Sequence, residues 1–171
     1  MFLIRGIASA CVLTIAAFMA GACRSSDAEP PLEAPPNLEF TLKNDIGEDV
    51  RLADFKGRPL VITFWATWCT SCKRQMPYLN EFSRTMADRG LVVLGITVDD
   101  TVDQLREFLT SADVNYEMLL GTDQDDLKRE YDVLGGIPVT WLIRPDGTVQ
   151  SKAVGYRDRA WFERELNRLV A

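Results

Sequence analysis

Two nearly continuous apolar runs, separated by a helical pattern, limit the fold of this chain more than any other feature. The runs are residues 60–65 and 91–98, and unbroken apolar segments of this length are typical of parallel strands buried on both faces. Between them apolar residues recur at helical spacing: Met76, Leu79, Phe82 and Met86. Because parallel strands need a crossover connection, this order predicts a strand, helix, strand unit.

The remaining patterns extend this unit into one domain of residues 37–171. Two further strand pairs flank turns, residues 38–42 with 49–52 around Asn44 to Gly47, and residues 140–143 with 148–154 around Arg144 to Gly147. Apolar residues three to four apart predict further helices at residues 102–109, 127–134 and 162–169. The sequence therefore predicts an α/β fold in which helices flank a mixed sheet.

Two cysteines follow the first apolar run directly, in the sequence Trp68-Cys69-Thr70-Ser71-Cys72. A thiolate at the first turn of a helix is stabilised by unpaired backbone N–H groups and by the helix dipole, which lower its pKa and make it nucleophilic. This placement predicts a dithiol redox centre in which Cys69 attacks and Cys72 resolves.

Three other interpretations of a Cys-x-x-Cys motif fit less well. A structural zinc needs four ligands, but the chain has no histidine, and its other cysteines, Cys11 and Cys23, lie in the N-terminal leader. Covalent haem attachment needs a histidine directly after Cys72, where Lys73 stands. A purely structural disulfide over so short a loop constrains few unfolded states. We therefore expect a redox-active disulfide with neither metal nor organic cofactor.

The N-terminus has the pattern of an exported protein. Arg5 precedes an apolar run, residues 7–22, which is shorter than the ~20 residues that span a bilayer, so residues 1–22 are predicted to be a signal peptide. The sequence Met19-Ala20-Gly21-Ala22-Cys23 resembles a bacterial lipoprotein signal, which predicts a lipid on Cys23; ordinary cleavage and an uncleaved anchor are the alternatives. Residues 24–36, rich in Pro, Ala, Ser and acids, complete a predicted disordered tether of residues 23–36.

The charge pattern excludes some partners. The formal net charge is −6, and acids and bases are interspersed along the chain. This argues against binding to nucleic acid and against electrostatic binding to anionic lipid.

Three motifs together resemble the TlpA/ResA-like, membrane-tethered members of the thioredoxin superfamily. They are residues 64–73, Met76-Pro77, and Gly136-Ile137-Pro138-Val139-Thr140. The resemblance implies a thioredoxin fold with an added N-terminal β-hairpin and a central insertion, which residues 101–120 could supply. It also implies an extracytoplasmic thiol-disulfide oxidoreductase, mostly a reductant, that acts on protein dithiols and disulfides and is recharged by a membrane electron-donor protein. A monomer is the default for this fold.

The same resemblance assigns the site. The catalytic residues would be Cys69 and Cys72, and the residues in contact with substrate would be Trp68, Thr70, Ser71, Ile137 and Pro138, with a cis bond between the last two. The sequence departs from its relatives at Ser71, where reducing thioredoxins have proline. It departs again at Thr63 and Gln75, where thioredoxin and many ResA-like proteins have acids. The redox potential is therefore not readable from the motif, and we expect thiol titration without strong coupling to a buried carboxylate.

Alternatives to a reductase remain open at this point. An oxidase or isomerase would differ only in potential. A peroxiredoxin fits less well, because Ala66 stands three residues before Cys69 in place of that family's Thr or Ser. A non-catalytic binding module would use the cysteines as a static bridge or as half of an intermolecular copper site. By analogy alone, the physiological role would be cytochrome c maturation or copper-centre assembly.

Overall fold

The computed structural model describes residues 36–171, which form a seven-stranded mixed sheet with helices on its faces. The strands are β1 Thr41–Asn44, β2 Asp49–Arg51, β3 Leu60–Trp65, β4 Val92–Thr97, β5 Glu117–Leu120, β6 Val139–Ile143 and β7 Val149–Val154. The helices are α1 Thr70–Thr85, α2 Val102–Ser111, α3 Asp125–Glu130 and α4 Arg159–Leu169, and short 3-10 turns follow β2 and α1. The predicted fold class is confirmed.

The sheet order is β2-β1-β5-β4-β3-β6-β7. The three central strands, β5, β4 and β3, run parallel to one another. The other pairs are antiparallel: β6 with β3, β7 with β6, β1 with β5, and β2 with β1. The segment between β4 and α3 contributes α2 and β5, and β5 joins the N-terminal hairpin to the rest of the sheet. The predicted hairpin and insertion therefore belong to one continuous sheet.

Alternation along β3 divides the core between the two faces of the sheet, because successive side chains of a strand point to opposite sides. Ile62 and Phe64 pack with Tyr131 on one face, and Val61 packs beneath α1 and α4 on the other. Trp65, at the end of β3, belongs to a third cluster that contains Cys69 and Cys72. The dithiol is thus built onto the core at the carboxyl end of the central strands.

Three sequence-based element assignments need correction. Strand β1 begins only at Thr41 and includes Asn44, which was assigned to the turn. Helix α3 ends at Glu130, because Asp132 adopts a left-handed conformation with φ of 52°, and the predicted continuation to Leu134 is wrong. Strand β5 was not predicted, because it is only four residues long and has an exposed glutamate.

The predicted signal peptide, lipid-bearing Cys23 and almost all of the tether lie outside the described residues. Within residues 36–171, no helix combines the length and apolar character needed to cross a membrane.

Candidate active site

Cys69 occupies the N-cap position of α1. Its backbone is extended, with φ of −78° and ψ of 98°, and its Sγ accepts a hydrogen bond from the Cys72 N–H at 3.2 Å. The two sulfur atoms form a disulfide bond. The helix therefore directs one of its unpaired N–H groups, and the positive end of its dipole, at the sulfur of Cys69.

The two cysteines and their neighbours differ in how they meet solvent. Cys69 is 4% exposed and Cys72 is 1% exposed, whereas Trp68 is 62% exposed. Thr70 begins α1 on the surface, and the Ser71 hydroxyl lies 3.4 Å from the Cys69 Sγ. Trp68 is thus a surface aromatic beside the dithiol and is not part of the core.

The loop before β6 lies on the other side of the dithiol. The Ile137–Pro138 peptide bond is cis, as predicted, and the Pro138 carbonyl accepts a hydrogen bond from the Gly155 N–H at 2.7 Å. Ile137 packs against the cluster that contains both cysteines. Ile137 therefore meets the cysteines, although it lies 65 positions after Cys72 in the sequence.

A groove of about 410 Å³ adjoins this loop. Its apolar lining includes Trp68, Val98, Leu134 and Ile137, and Asp99 and Lys128 also contribute to it. Leu134 is 70% exposed. Large exposed apolar side chains beside a reactive disulfide are typical of a surface that receives another protein.

The interior behind α1 is polar but carries no charge. The Gln75 amide donates to the Thr63 hydroxyl at 3.3 Å and to the Thr140 hydroxyl at 3.5 Å, and the two hydroxyls lie 3.2 Å apart. All three residues are buried, and the Gln75 Oε1 has no hydrogen-bond partner. The positions at which related proteins carry acids therefore form one neutral cluster here.

Tyr116 is a second neutral polar group near the dithiol. Its ring packs against the cluster of Cys69 and Cys72. Burial raises the pKa of its phenol above the ordinary value of 10.0. Tyr116 therefore stays uncharged throughout the range in which thiols titrate.

Two residues of the site were missed by the sequence analysis. Asp99 accepts a hydrogen bond from the Trp68 indole N–H, and the buried Asp100 accepts from the backbone N–H and the hydroxyl of Thr67. Two acids after a strand carry no recognisable signal, because they usually lie in solvated loops. Only the parallel pairing of β3 with β4 brings them next to the motif.

No group of three His, Cys, Asp or Glu side chains within residues 36–171 is arranged to hold a metal ion. Cys69 and Cys72 are joined by a disulfide bond, which is a group that thiols can reduce.

Comparison with known proteins identifies the family. Residues 33–152 match the model of the AhpC/TSA family. The chain belongs to this family. Within it the chain is similar to the thiol-disulfide oxidoreductase ResA of Bacillus subtilis, with 32% identity over 128 residues that cover 75% of this chain and 70% of ResA. It is also similar to the thioredoxin-like protein YneN of Bacillus subtilis, at 29% identity and 75% coverage of each.

Solved structures share the fold of this chain. A thioredoxin-family thiol:disulfide interchange protein from Chlorobium tepidum superposes with a TM-score of 0.70 at 26% identity, covering 85% of this chain and 100% of that one. A secreted disulfide oxidoreductase of Mycobacterium tuberculosis superposes with a TM-score of 0.69 at 22% identity, covering 77% and 97%. The protein is therefore a thiol-disulfide oxidoreductase with a thioredoxin-like fold and a Cys69–Cys72 pair.

Proposed function

We propose that this protein is an extracytoplasmic disulfide reductase that acts by dithiol exchange. The observation that supports this most directly is the position of Cys69, whose Sγ receives the Cys72 N–H at the N-terminus of α1. A thiolate at that position is stabilised by the same N–H and by the helix dipole, which makes it both available and a good leaving group.

Each step of the exchange balances. The Cys69 thiolate attacks one sulfur of a substrate disulfide, and the other substrate sulfur leaves as a thiolate. Cys72 then loses its proton and attacks the Cys69 sulfur of the mixed disulfide, which releases the second substrate sulfur. The substrate gains two electrons and two protons, and the enzyme is left with the Cys69–Cys72 disulfide. No metal or organic cofactor takes part.

Proton transfer to and from Cys72 has no acidic partner in the Gln75 cluster. An amide and two hydroxyls replace the acids of related proteins, so water or a hydroxyl is the proposed carrier. Trp68 and Ile137 line the groove, and the Ser71 hydroxyl lies 3.4 Å from the Cys69 Sγ. We propose that these residues contact the substrate chain together with their sequence neighbours Thr70 and Pro138.

The cellular setting is part of the proposal. The leader and Cys23 support export and attachment to a membrane through lipid, and a relative of the same fold is described as secreted. Exported compartments are oxidising, so a membrane protein must return two electrons to the Cys69–Cys72 disulfide. We propose a monomer that keeps the cysteines of cytochrome c or of a copper centre reduced.

Trapping the mixed disulfide tests this mechanism. The variant Cys72→Ser cannot release a bound substrate, so we expect it to accumulate covalent complexes. These should be visible on a non-reducing gel and should be cleaved when a reductant is added. The matched variant Cys69→Ser should accumulate none, and both should lose turnover of a protein disulfide. Complexes formed equally by both variants, or activity retained in Cys69→Ser, would exclude the proposed roles of the two cysteines. Absence of complexes in both variants would instead favour a static binding module.

A disulfide oxidase or isomerase is the second candidate, because Ser71 stands where reducing thioredoxins have proline. It differs from a reductase only in redox potential. Equilibration of the full-length protein with glutathione separates the two. The reduction potential of the Cys69–Cys72 pair should be ~−270 mV for a reductase and ~−120 mV for a strong oxidant.

A further inference from the structure

Cys69 is presented by a tight turn. The Cys69 N–H donates to the Ala66 carbonyl at 3.0 Å, so Thr67 and Trp68 are the two central residues of a turn that joins β3 to α1. The conformation of these two residues decides where the Cys69 sulfur lies relative to the first N–H groups of α1.

Both central residues are held by consecutive carboxylates of the loop between β4 and α2. Asp100 accepts the Thr67 N–H at 2.9 Å and the Thr67 hydroxyl at 2.6 Å, using a different oxygen for each. Asp99 accepts the Trp68 indole N–H at 2.9 Å. The turn therefore has a partner for each of its central residues on a neighbouring element.

Asp100 is itself fixed from two further directions. Its carboxylate also accepts the Thr97 hydroxyl at the end of β4, and its carbonyl accepts the Thr122 hydroxyl at 2.6 Å. The Val98 N–H donates to the Trp65 carbonyl at 3.0 Å, which keeps the loop in register with β3. Asp100 is 1% exposed, so its geometry is set by the fold before any substrate arrives.

The turn does not need a buried carboxylate in order to form, and burying one is unfavourable. A turn of four residues can close on its own backbone hydrogen bond. Removing a carboxylate from water is unfavourable unless hydrogen bonds replace the lost hydration. A negative charge near a thiol also disfavours the thiolate. Holding the turn should lower the Cys69 pKa, whereas the negative charge of Asp100 should raise it. Because the two effects have opposite signs, a measurement of the Cys69 pKa can separate them.

We propose that Asp100 is a positioning residue for thiol-disulfide exchange. Its carboxylate holds the Thr67-Trp68 turn, and Asp99 holds the Trp68 indole. The Cys69 sulfur is thereby kept within hydrogen-bond distance of the Cys72 N–H at the N-terminus of α1.

The test is the variant Asp100→Ala in the full-length protein. The readout is the pH profile of Cys69 alkylation in the reduced protein, followed by mass spectrometry of the peptide that carries Cys69. If the carboxylate positions the turn, its loss weakens the hydrogen bond to Cys69, and the Cys69 pKa should rise by up to about one unit, a tenfold loss of thiolate below that pKa. If Asp100 acted only through its charge, the pKa would fall. A fall or an unchanged profile overturns the proposal.

The variant Asp100→Asn keeps the shape and one acceptor oxygen, and it also serves if the alanine variant does not fold. Because Asp100→Asn removes the same charge as Asp100→Ala but keeps one acceptor oxygen, we expect its Cys69 pKa to lie below that of Asp100→Ala. The rate at which it reduces a small aromatic disulfide should be partly rescued, between the rates of Asp100→Ala and the wild type. A rate equal to or above that of the wild type would contradict the proposal, because the turn would then not need both carboxylate oxygens.

Glu165→Gln is the matched control, because Glu165 is another buried carboxylate, belongs to α4, and accepts the Ser151 hydroxyl at 2.7 Å. It should leave the Cys69 profile unchanged. An equal shift in this control would mean that the profile responds to general loosening of the fold, and the positioning role would be wrong.

Discussion

At the scale of single residues, the departures from related proteins turn out to be connected. Thr63 and Gln75 are separated by 12 positions, and Thr140 is 65 positions from Gln75, yet their side chains form one buried cluster. A charged acid at either position would need partners that can compensate a charge, and this cluster contains only an amide and two hydroxyls. The neutral side chains are therefore consistent with one another.

Restoring an acid at position 75 should change both stability and thiol titration. In Gln75→Glu, burial should raise the pKa of the new carboxyl in the folded state above its unfolded value. The stability of the variant is then close to that of the wild type in acid, and it is lost as the pH rises from the unfolded to the folded pKa. We expect about 3 kcal/mol of destabilisation at about pH 8, which corresponds to about two pKa units.

Urea unfolding at several pH values measures this loss, and the Cys69 alkylation profile of the variant should show two steps where the wild type shows one. Gln150→Glu is a matched control, since Gln150 is also buried with an unpartnered Oε1, but it belongs to β7. It should share the pH-dependent destabilisation and keep a single step. Two steps in the wild type itself would refute the expected absence of coupling to a buried acid.

At the scale of elements, close approach between the central strands and α3 depends on a small residue. Gly121 follows β5, and its N–H donates to the Thr97 carbonyl at 2.8 Å. A methyl group here would lie 2.8 Å from the Ile96 side chain and 3.2 Å from both the Leu127 side chain and the Thr97 carbonyl oxygen. The loop that begins α3 can therefore reach the sheet only without a side chain at this position.

The variant Gly121→Ala should destabilise the protein by about 1–3 kcal/mol, because the inserted methyl overpacks a site with backbone on one side. Gly135→Ala is the control, since a methyl there meets nothing within 4 Å, and its stability should stay within about 0.5 kcal/mol of the wild type. Urea unfolding measures both. Equal midpoints for the two variants would show that the loop after β5 moves freely enough to accept the methyl group.

At the scale of the whole molecule, α4 closes one face of the sheet through both apolar and charged contacts. Phe162 and Leu166 pack with Val61 and Leu142 of the sheet. Glu165 on the same helix is buried, accepts a hydrogen bond from the Ser151 hydroxyl at 2.7 Å, and forms ion pairs with Arg164 and Arg168 at 3.2 and 3.3 Å. One carboxylate thus links the C-terminal helix to the edge strand β7.

The contribution of the Glu165 carboxylate to the free energy of unfolding should be lost in acid. Burial raises the pKa of Glu165, but the hydrogen bonds from Ser151 and Arg164 and the charges of Arg168 and Arg164 outweigh it and hold the pKa below its ordinary value of 4.5. Because the folded pKa is depressed, the stabilisation is present above pH 4.5 and is lost as the pH falls through the folded value.

Glu165→Gln should therefore be less stable than the wild type by about 1 kcal/mol at neutral pH and should match it in strong acid. Urea unfolding across the acid range measures the difference. The exposed Glu163, which pairs with Arg159 at 2.8 Å, provides the control Glu163→Gln, with a smaller effect. Parallel pH curves for wild type and Glu165→Gln would contradict this role.

The sequence by itself determined the local and periodic features of this protein. The dithiol motif, the buried strands β3 and β4 and the helix that follows the cysteines all depend on residues that are close in the chain, and the structure has them. The cis bond before Pro138 was expected only from the resemblance to a family, and the structure has it as well. Tertiary structure decided the pairing of the unpredicted strand β5, the assembly of the Gln75 cluster and the attachment of Asp99 and Asp100 to the turn before Cys69. These contacts join residues 12 to 65 positions apart, and which of many polar side chains meet is settled only by how the strands pack. Hydrophobic periodicity determines the elements, whereas burial and hydrogen-bond partners become defined only in the assembled fold.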